Sequence, residues 1–296
     1  MNLNKSSDKS KNFSSTPYLN LKGKSLNLHK PVVMGILNLS KDSFFEGNYN
    51  INIIGLINQT RKMLDEGAKI IDIGAISTRP GAKLISEEKE LNRLMEVLPE
   101  LIKNFPKVIF SIDTFRANIA EKVIEAGAAM INDISGGTFD DKMFETISLL
   151  QVPYILMHIQ GTPQNMQNDP KYENVVLEIV QFFLNQINKL EKLRFSQIIL
   201  DPGFGFGKTL EQNYQILKNL KAFSQLGFPV LAGISRKSMI NKVLGTSPKT
   251  ALNGTSVLNT IAVLHGAKIL RVHDVKEAVE VIKLCEEVER WQGMTS

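Results

Sequence analysis

The sequence has little cysteine and little histidine, and both shortages exclude classes of protein. A single cysteine, Cys285, among 296 residues cannot form an intrachain disulfide, so a reducing compartment such as the cytoplasm is predicted. The four histidines, His29, His158, His265 and His273, are scattered along the chain. The sequence therefore predicts no zinc-type cluster of nitrogen and sulfur ligands.

Long hydrophobic runs are also lacking. No apolar stretch is long enough to span a bilayer, and no hydrophobic segment typical of a signal peptide stands near the N-terminus. We therefore expect a soluble, cytoplasmic protein. The net charge of +5 does not indicate a nucleic-acid surface, because residues 1–30 carry six lysines and one aspartate, which account for the whole excess.

The common nucleotide-binding and nucleophile motifs are missing as well. In the glycine-rich stretch 201–208, a phosphate loop would need glycine where Pro202 stands, and a dinucleotide fingerprint would need glycine where Lys208 stands. No serine or cysteine occupies a nucleophile elbow. What the stretch does contain is an apolar strand pattern that ends in Asp201 and a turn.

The first residues differ in composition from the rest. Residues 1–16 are rich in serine, asparagine and lysine and are predicted to form a disordered polar extension. Residues 17–296 are predicted to form one domain. Within it, apolar and polar residues alternate from Tyr18 to Leu28 on both sides of Lys22 and Gly23, which predicts a short β-hairpin.

After the hairpin the chain repeats one unit eight times: a short apolar run, a polar loop and a helical pattern. The predicted strands are Val32–Leu37, Ile70–Ile73, Val108–Ile112, Met130–Ile131, Tyr154–Met157, Ile198–Leu200, Val230–Ala232 and Ile269–Leu270. Such runs suit strands that are buried on both faces. Eight units in about 250 residues predict an α/β fold, a single (β/α)8 TIM barrel. An open doubly wound sheet is the alternative, and it usually has fewer units.

Polar residues follow nearly every predicted strand. They are Asn38, Thr78, Arg79, Asp113, Asn132, His158, Asp201, Ser235, Lys237, Arg271 and His273. Each alone has an ordinary explanation, such as a surface turn or a helix cap, but caps stand one loop later, at the helix start. Since all strand ends of a barrel open on one mouth, the set predicts an active site there.

The chemistry of this set is of two kinds. One group offers hydrogen-bond donors and acceptors for a flat polar heterocycle with amino and ring N–H groups, and consists of Asp113, Asn132, Asp201 and Lys237. The other group suits a multiply charged anion such as a phosphate, and consists of Arg271, His273 and Asn38. A magnesium ion that bridges a phosphate to few protein ligands is compatible with the second group.

These motifs resemble the dihydropteroate synthase family of pterin-binding (β/α)8 barrels, from about Tyr18 to Trp291. The matching motifs are Met34–Asn38 with Asp42–Phe44, Ser77–Gly81, Ser111–Asp113, Ile131–Asp133, Asp201–Gly207, Ser235–Ser238 and Arg271–Asp274. Several independent motifs in the family's order make the resemblance specific. Departures from the family pattern, at Ser40, Lys41, Glu46, Gly47, Asn48, Ala75 and Ile76, lie in the two loops after the first strands.

The resemblance implies an activity and a set of residue roles. The activity is condensation of 6-hydroxymethyl-7,8-dihydropterin diphosphate with 4-aminobenzoate in folate biosynthesis, by a sulfonamide target that forms homodimers through its last helices. The pterin would be held by Asp113, Asn132, Asp201 and Lys237, and the diphosphate by Asn38, Arg271 and His273, with Mg²⁺ at Asn38. The 4-aminobenzoate site would be formed by Thr78, Arg79, Pro80, Phe206, Ser235 and Ser238.

Two other functions are compatible with a pterin-binding barrel. A methyltetrahydrofolate methyltransferase would share the pterin carboxylates but has no use for a diphosphate clamp, so Arg271, His273 and the 77–81 motif argue against it. A catalytically inactive pterin-binding or interaction protein is expected to have lost an anion-binding or loop residue. All of those residues are present here.

Overall fold

The structure is a computed structural model that describes residues 18–21, 24–39, 52–77, 81–82 and 84–292. The predicted polar extension, 1–16, lies outside these ranges. Among the helices within them, none combines the length and the apolar character needed to cross a membrane.

Eight parallel strands form a closed barrel in the order β10-β3-β4-β5-β6-β7-β8-β9. This confirms the predicted (β/α)8 barrel and excludes the open sheet. The strands are β3 (Val32–Asn38), β4 (Ile70–Gly74), β5 (Ile109–Asp113), β6 (Met130–Asp133), β7 (Tyr154–Met157), β8 (Ile198–Asp201), β9 (Val230–Ala232) and β10 (Ala267–Val272). Each agrees with a predicted strand, and the differences are confined to the strand ends.

Helices follow the strands and cover the outside of the barrel. They are α1 (Ile53–Asp65), α2 (Glu87–Asn104), α3 (Ala117–Glu125), α4 (Met143–Leu150), α5 (Val175–Lys192), α6 (Leu210–Lys218), α7 (Lys221–Ser224), α8 (Ser238–Leu244), α9 (Leu252–Leu264) and α10 (Val275–Gln292). Their apolar faces join the outward side chains of the strands in one large core. This is the layer arrangement expected when a parallel sheet is buried on both faces.

The helical pattern of the sequence from Leu210 to about Gln225 predicts one helix, and this prediction is wrong, because the chain breaks between α6 and α7. The N–H of Asn219 is shared between the carbonyl oxygens of Gln215 and Ile216, which tightens the last turn of α6. Beyond the break, Leu220 and Phe223 are fully buried. The restart therefore places two large apolar side chains in the core.

The predicted hairpin is present and closes the amino-terminal end of the barrel. Its strands are β1 (Tyr18–Leu21) and β2 (Lys24–Asn27), which pair antiparallel. Four leucines of this segment form one cluster with the apolar side chains at the starts of the barrel strands: Leu19, Leu21, Leu26 and Leu28 pack with Met34, Ile70, Met130, Ile155, Ile199, Leu231 and Ile269. Burial of each leucine contributes about 1.5–3 kcal/mol.

The register of the strands brings polar residues to one level at the opposite end. Asn38 pairs with Gly74, Gly74 with Asp113, and Asp113 with Asn132. One layer deeper, Asp72 stands beside Ser111 in the next strand. Because side chains alternate along a strand with a period of two, residues in such rows that face inward meet in the barrel mouth.

Candidate active site

Arg271, near the end of β10, reaches across the barrel interior to two carboxylates. Its Nε lies 2.7 Å from Oδ2 of Asp72 on β4, and its Nη2 lies 3.1 Å from Oδ2 of Asp113 on β5. Because β3 separates β10 from β4, these bonds form through the inside of the barrel. The guanidinium therefore spans the floor of the mouth.

Asn132 on β6 shares the same carboxylate. Its Nδ2 donates a hydrogen bond of 3.0 Å to Oδ2 of Asp72. The Asp72 side chain is fully buried, whereas those of Arg271 and Asp113 remain 20% and 10% exposed. Asp72 thus lies beneath the residues that face the mouth and contacts two of them.

Asn38 and Asp113 stand on either side of a glycine. A Cβ atom on Gly74 would lie 3.5 Å from Oδ1 of Asn38 and 3.7 Å from Oδ2 of Asp113. Asn38 is exposed at the mouth. The absence of a side chain at position 74 therefore leaves room beside an amide oxygen and a carboxylate.

The stretch after β8 forms a tight loop at the mouth. The N–H of Gly203 donates to Oδ1 of Asp201 at 2.7 Å. Gly203 has a φ of +72°, and a Cβ there would lie 2.0 Å from the carbonyl oxygen of His158. Only glycine fits this close approach. The side chain of Asp201 is held in place by its own loop and is nearly buried.

Lys237, which follows β9, packs over this loop. Its Nζ donates to the carbonyl oxygen of Phe204 and lies 4.6 Å from the centroid of the Phe206 ring. The position of Lys237 therefore depends on the same loop as that of Asp201.

Burial shifts the pKa values of the ionisable groups in the mouth. Burial raises the pKa of Asp113 to about 7 despite the opposing charge of Arg271, and the neighbouring charge of Asp72 adds to the rise. Burial also raises the pKa of Asp201, against the effect of Lys237. It lowers the pKa of Lys237 to about 8. Shifts of the pKa in buried ionisable groups of this kind are typical of functional sites, where a bound ligand can supply hydrogen-bond partners.

Ser235 and His273 connect the ends of the last two strands. Oγ of Ser235 lies 3.1 Å from Nδ1 of His273 and accepts a 3.2 Å hydrogen bond from its backbone N–H. Beside them, Nε of Arg236 donates to Oδ2 of Asp274 at 2.9 Å. The two pairs fix the turn after β9 to the end of β10, so the orientation of His273 is linked to that turn.

Lys208 at the end of the glycine loop points away from solvent. Its Nζ lies 3.1 Å from Nδ1 of His158 and donates to the carbonyl oxygens of Phe206 and His158 at 2.8 and 3.2 Å. Burial lowers the pKa of Lys208 well below its usual range and that of His158 to about 2. His158 is therefore neutral, and its contacts with Lys208 hold the loop in place.

Most of the predicted site residues lie in the described part of the chain and converge on the mouth. Arg271 contacts Asp113 directly and Asn132 through Asp72, whereas Lys237 and Asp201 meet at the glycine loop. Ser238 is the first residue of α8. Thr78, Arg79 and Pro80 lie outside the described residues.

Sequence reasoning assigned no role to Asp72 or Lys208. Asp72 stands two residues before the end of its strand, whereas the predicted site residues follow the predicted strands. The available signal was the alternation of side chains along a strand: Asp72 and Gly74 are two residues apart and therefore lie on the same face. The sequence gives no signal that Lys208 is buried, because an exposed lysine after a turn has the same sequence pattern.

The possible metal ligands at the mouth are few. Within the described ranges, no group of three or more His, Cys, Asp or Glu side chains is placed to hold an ion. A closed zinc or calcium cage is therefore not formed by these residues. Asn38 offers one hard oxygen donor at the mouth, which fits Mg²⁺ only if a phosphate and water supply the other ligands.

Comparison with known proteins gives one consistent result. Residues 34–273 match the family described as pterin binding enzyme. Dihydropteroate synthase of Escherichia coli K12 is 41% identical over 266 residues, which is 89% of this chain and 94% of the relative. A crystal structure of the Yersinia pestis dihydropteroate synthase with a sulfonamide drug complex superposes with a TM-score of 0.86 at 39% identity, covering 92% of this chain and 99% of that one.

A second solved structure contains a bound ligand. Dihydropteroate synthase from Xanthomonas albilineans in complex with 7,8-dihydropteroate superposes with a TM-score of 0.82 at 32% identity. The alignment covers 92% of this chain and 99% of that chain. The likeness thus extends over the whole barrel and includes the mouth.

Proposed function

This chain belongs to the dihydropteroate synthases of the pterin-binding enzyme family, and we propose in detail how its barrel mouth joins 4-aminobenzoate to 6-hydroxymethyl-7,8-dihydropterin diphosphate. The C–O bond between the pterin methylene and the diphosphate breaks, and a C–N bond to the arylamine forms with loss of one proton. The products are 7,8-dihydropteroate and pyrophosphate. The chain is thus a transferase of folate biosynthesis.

The observation that carries the assignment is the layer of polar groups at the strand ends. The carboxylates of Asp113 and Asp201 accept from the amino and ring N–H groups of the pterin, and the amide of Asn132 supplies a further contact. Lys237, which follows β9 and packs over the glycine loop, donates to the ring. All four are buried or partly buried, so each bond to the ligand forms where water competes little.

The leaving anion is assigned to the neighbouring strands. Arg271 provides a permanent positive charge at the floor, and His273 stands exposed at the rim. Asn38, from the adjoining strand, would hold Mg²⁺ through its amide oxygen. The metal would neutralise charge on the diphosphate and so improve it as a leaving group.

Charge that develops on the pterin methylene is stabilised by the carboxylates below the ring. As the C–O bond breaks, positive charge spreads into the pterin, and Asp113 and Asp201 are placed to lower its energy when ionised. The attacking arylamine is already a neutral nucleophile, so no strong general base is needed. The chain's contribution is orientation and electrostatic stabilisation.

The 4-aminobenzoate is assigned to the outer part of the mouth. Phe206 offers a ring face beside Lys237, and Ser235 and Ser238 offer hydroxyl groups at the turn before α8. Thr78, Arg79 and Pro80 belong to the same proposed site by family resemblance. This order places the pterin deep and the arylamine near the rim.

A homodimer, formed through the last helices, is part of the proposal. Val257 and Leu264 on α9, and Leu284 and Val288 on α10, are each at least half exposed, at spacings that put each pair on one helix face. Sedimentation equilibrium should give twice 33.1 kDa, and Leu284→Glu should give the monomer. Leu149→Glu, at another exposed leucine, should leave the dimer intact. A wild-type monomer at micromolar concentration would reject this assembly.

A cytoplasmic location is proposed from cysteine usage. The only cysteine, Cys285, is buried, and a single thiol cannot form an intrachain disulfide. The fold gains nothing from an oxidising compartment. Fractionation of cells with a marker enzyme for the cytoplasm tests this assignment.

The decisive experiment follows both products at once. Purified protein is incubated with 4-aminobenzoate, the dihydropterin diphosphate and Mg²⁺, and dihydropteroate and pyrophosphate are measured together. We expect equal amounts of both, which Asp201→Asn and Arg271→Ala should abolish. The control variants Asp141→Asn and Arg290→Ala remove the same charges from exposed positions and should retain activity. If the pterin binds but neither product forms, the synthase assignment fails and methyl transfer becomes the next assay.

A further inference from the structure

We propose that Asp72 is a positioning residue for this reaction, which sets the orientation of Arg271 and of the Asn132 amide from beneath the substrate. The inference rests on the proposed function, because it assigns a role within the same mouth. Asp72 does not face the mouth itself, since its side chain is fully buried. It acts through the two side chains that it holds.

The first step concerns the guanidinium. Arg271 uses Nε for Asp72 and Nη2 for Asp113, so the two carboxylates of adjacent strands hold its planar group at two points. With only Asp113 left, the long side chain would regain rotation about its terminal torsions. A guanidinium held at two points presents its remaining N–H groups to an anion in one geometry.

The second step concerns the polarity of the Asn132 amide. Because an ionised carboxylate only accepts hydrogen bonds, the group of Asn132 that contacts Asp72 is the NH₂ end, at 3.0 Å. The carbonyl end is then free to turn toward the ligand as an acceptor. Asp72 thereby decides that Asn132 offers oxygen to a ring N–H and does not offer nitrogen to a ring acceptor.

The third step concerns the free energy that burial of the Asp72 carboxylate costs the fold. Oδ1 of Asp72 and Oγ of Ser111, cross-strand neighbours in register, are both buried and make no hydrogen bond within the described ranges of the chain. A buried carboxylate with one unsatisfied oxygen is a poor source of stability. Its presence in the barrel interior is better explained by what it does to Arg271 and Asn132.

The test is Asp72→Asn, which keeps the shape and removes the charge. We expect kcat/KM for the dihydropterin diphosphate to fall by about 10–100-fold, as when a bound group is displaced by a fraction of an ångström. The melting temperature should fall as well, because Arg271 loses one of its two carboxylate partners, and KM for 4-aminobenzoate should change little. A residue with a purely structural role would lower the melting temperature but leave the kinetics of the folded fraction intact.

A pH profile gives a second, independent readout. The charge of Asp72 is one of the causes that raise the pKa of Asp113, so Asp72→Asn should lower that pKa. The acidic limb of the kcat/KM profile should move to lower pH relative to wild type. An unshifted limb together with unchanged kcat/KM would overturn the proposal.

Two further variants keep the result interpretable. Asp72→Glu keeps the charge but moves the carboxylate, and it should also lower kcat/KM, so wild-type kinetics would overturn the proposal even if Asp72→Asn failed to fold. Glu90→Gln removes another fully buried carboxylate, one that pairs with Arg116 and not with Arg271. It should lower stability and retain kcat/KM within about threefold.

Calorimetric titration with the dihydropterin diphosphate separates this inference from the proposed function. If the wild type binds the pterin but forms no product, the synthase assignment fails, yet Asp72→Asn must still weaken binding for the inference to stand. If the wild type forms product and Asp72→Asn binds and reacts like it, the inference alone fails.

Discussion

Nζ of Lys208 lies 3.1 Å from Nδ1 of His158 in a space closed to solvent, and the same ammonium group holds two backbone carbonyl oxygens. The loop after β8, which carries Phe206, is thereby attached to the end of β7. Phe206 in turn contacts Lys237. A buried lysine thus supports Phe206 directly, through its carbonyl oxygen, and supports Lys237 indirectly, through the Phe206 ring.

Replacement of this lysine is expected to loosen the loop. Lys208→Met keeps most of the volume but leaves the carbonyl oxygens of Phe206 and His158 without their donor, which should lower the free energy of unfolding by about 1–3 kcal/mol. KM for 4-aminobenzoate should rise. Urea denaturation and steady-state kinetics measure both effects. Lys218→Met, at an exposed site on α6, is the control and should resemble wild type.

Gly203 is expected to tolerate no side chain. Gly203→Ala would place a Cβ 2.0 Å from the carbonyl oxygen of His158 at a φ of +72°, so both a steric clash and the cost of the left-handed backbone apply. The matched control is Gly245→Ala, where φ is +63° and nothing lies within 4 Å. There only the backbone cost of about 1–2 kcal/mol remains. Equal destabilisation of the two variants in thermal unfolding would contradict the close approach.

Asp113 should make the stability of the unliganded protein depend on pH. Its pKa is raised to about 7 from 3.8, so the folded protein holds a proton that the unfolded chain has lost in this interval. The associated stabilisation is present below about pH 4 and is lost as the pH rises to 7. Relative to Asp113→Asn, wild type should therefore lose on the order of 2 kcal/mol between pH 5 and 7.

Urea unfolding of both proteins across this range gives the difference directly. A constant offset between the two curves reflects the pH-independent difference between the two side chains, and the slope reports the titration of Asp113. Asp141→Asn, at the surface, controls for the removal of one negative charge. Curves of Asp113→Asn and wild type that stay parallel from pH 5 to 7 would contradict the raised pKa.

The leucines of the hairpin should contribute stability without affecting catalysis. Leu28 is 2% exposed and belongs to the cluster at the base of the barrel, so Leu28→Ala should cost about 2–5 kcal/mol. The folded fraction should keep wild-type kcat and KM, because the site is at the other end of the strands. Leu149→Ala, at an 84% exposed position, should leave stability nearly unchanged.

Much of the fold was visible in the sequence because each strand is a short apolar run that ends at a polar residue. All eight barrel strands were placed in this way, and Asp113 and Asp201 were recognised as strand-end carboxylates. The register of neighbouring strands, which puts Asp113 level with Asn132, has no local signal. It depends on the stagger that closes the barrel.

Other features were hidden for identifiable physical reasons. The break between α6 and α7 contains neither glycine nor proline, and it arises because Leu220 and Phe223 both reach the core. Asp72 is surrounded by isoleucines and lies within the predicted strand Ile70–Ile73, not at its end. Its importance depends on Arg271, which is 199 residues away in the chain, and such a pairing becomes apparent only when the barrel closes.

The leucine hairpin at the base of the barrel limits how substrates enter and products leave. Because that end of the barrel is closed, both substrates enter and both products leave through the mouth. In the proposed arrangement, the pterin at the buried carboxylates must enter before the 4-aminobenzoate at the rim. Any ligand bound at the rim therefore blocks the release of a molecule bound deeper in the mouth. The architecture of the barrel thus sets the order in which substrates bind and products leave.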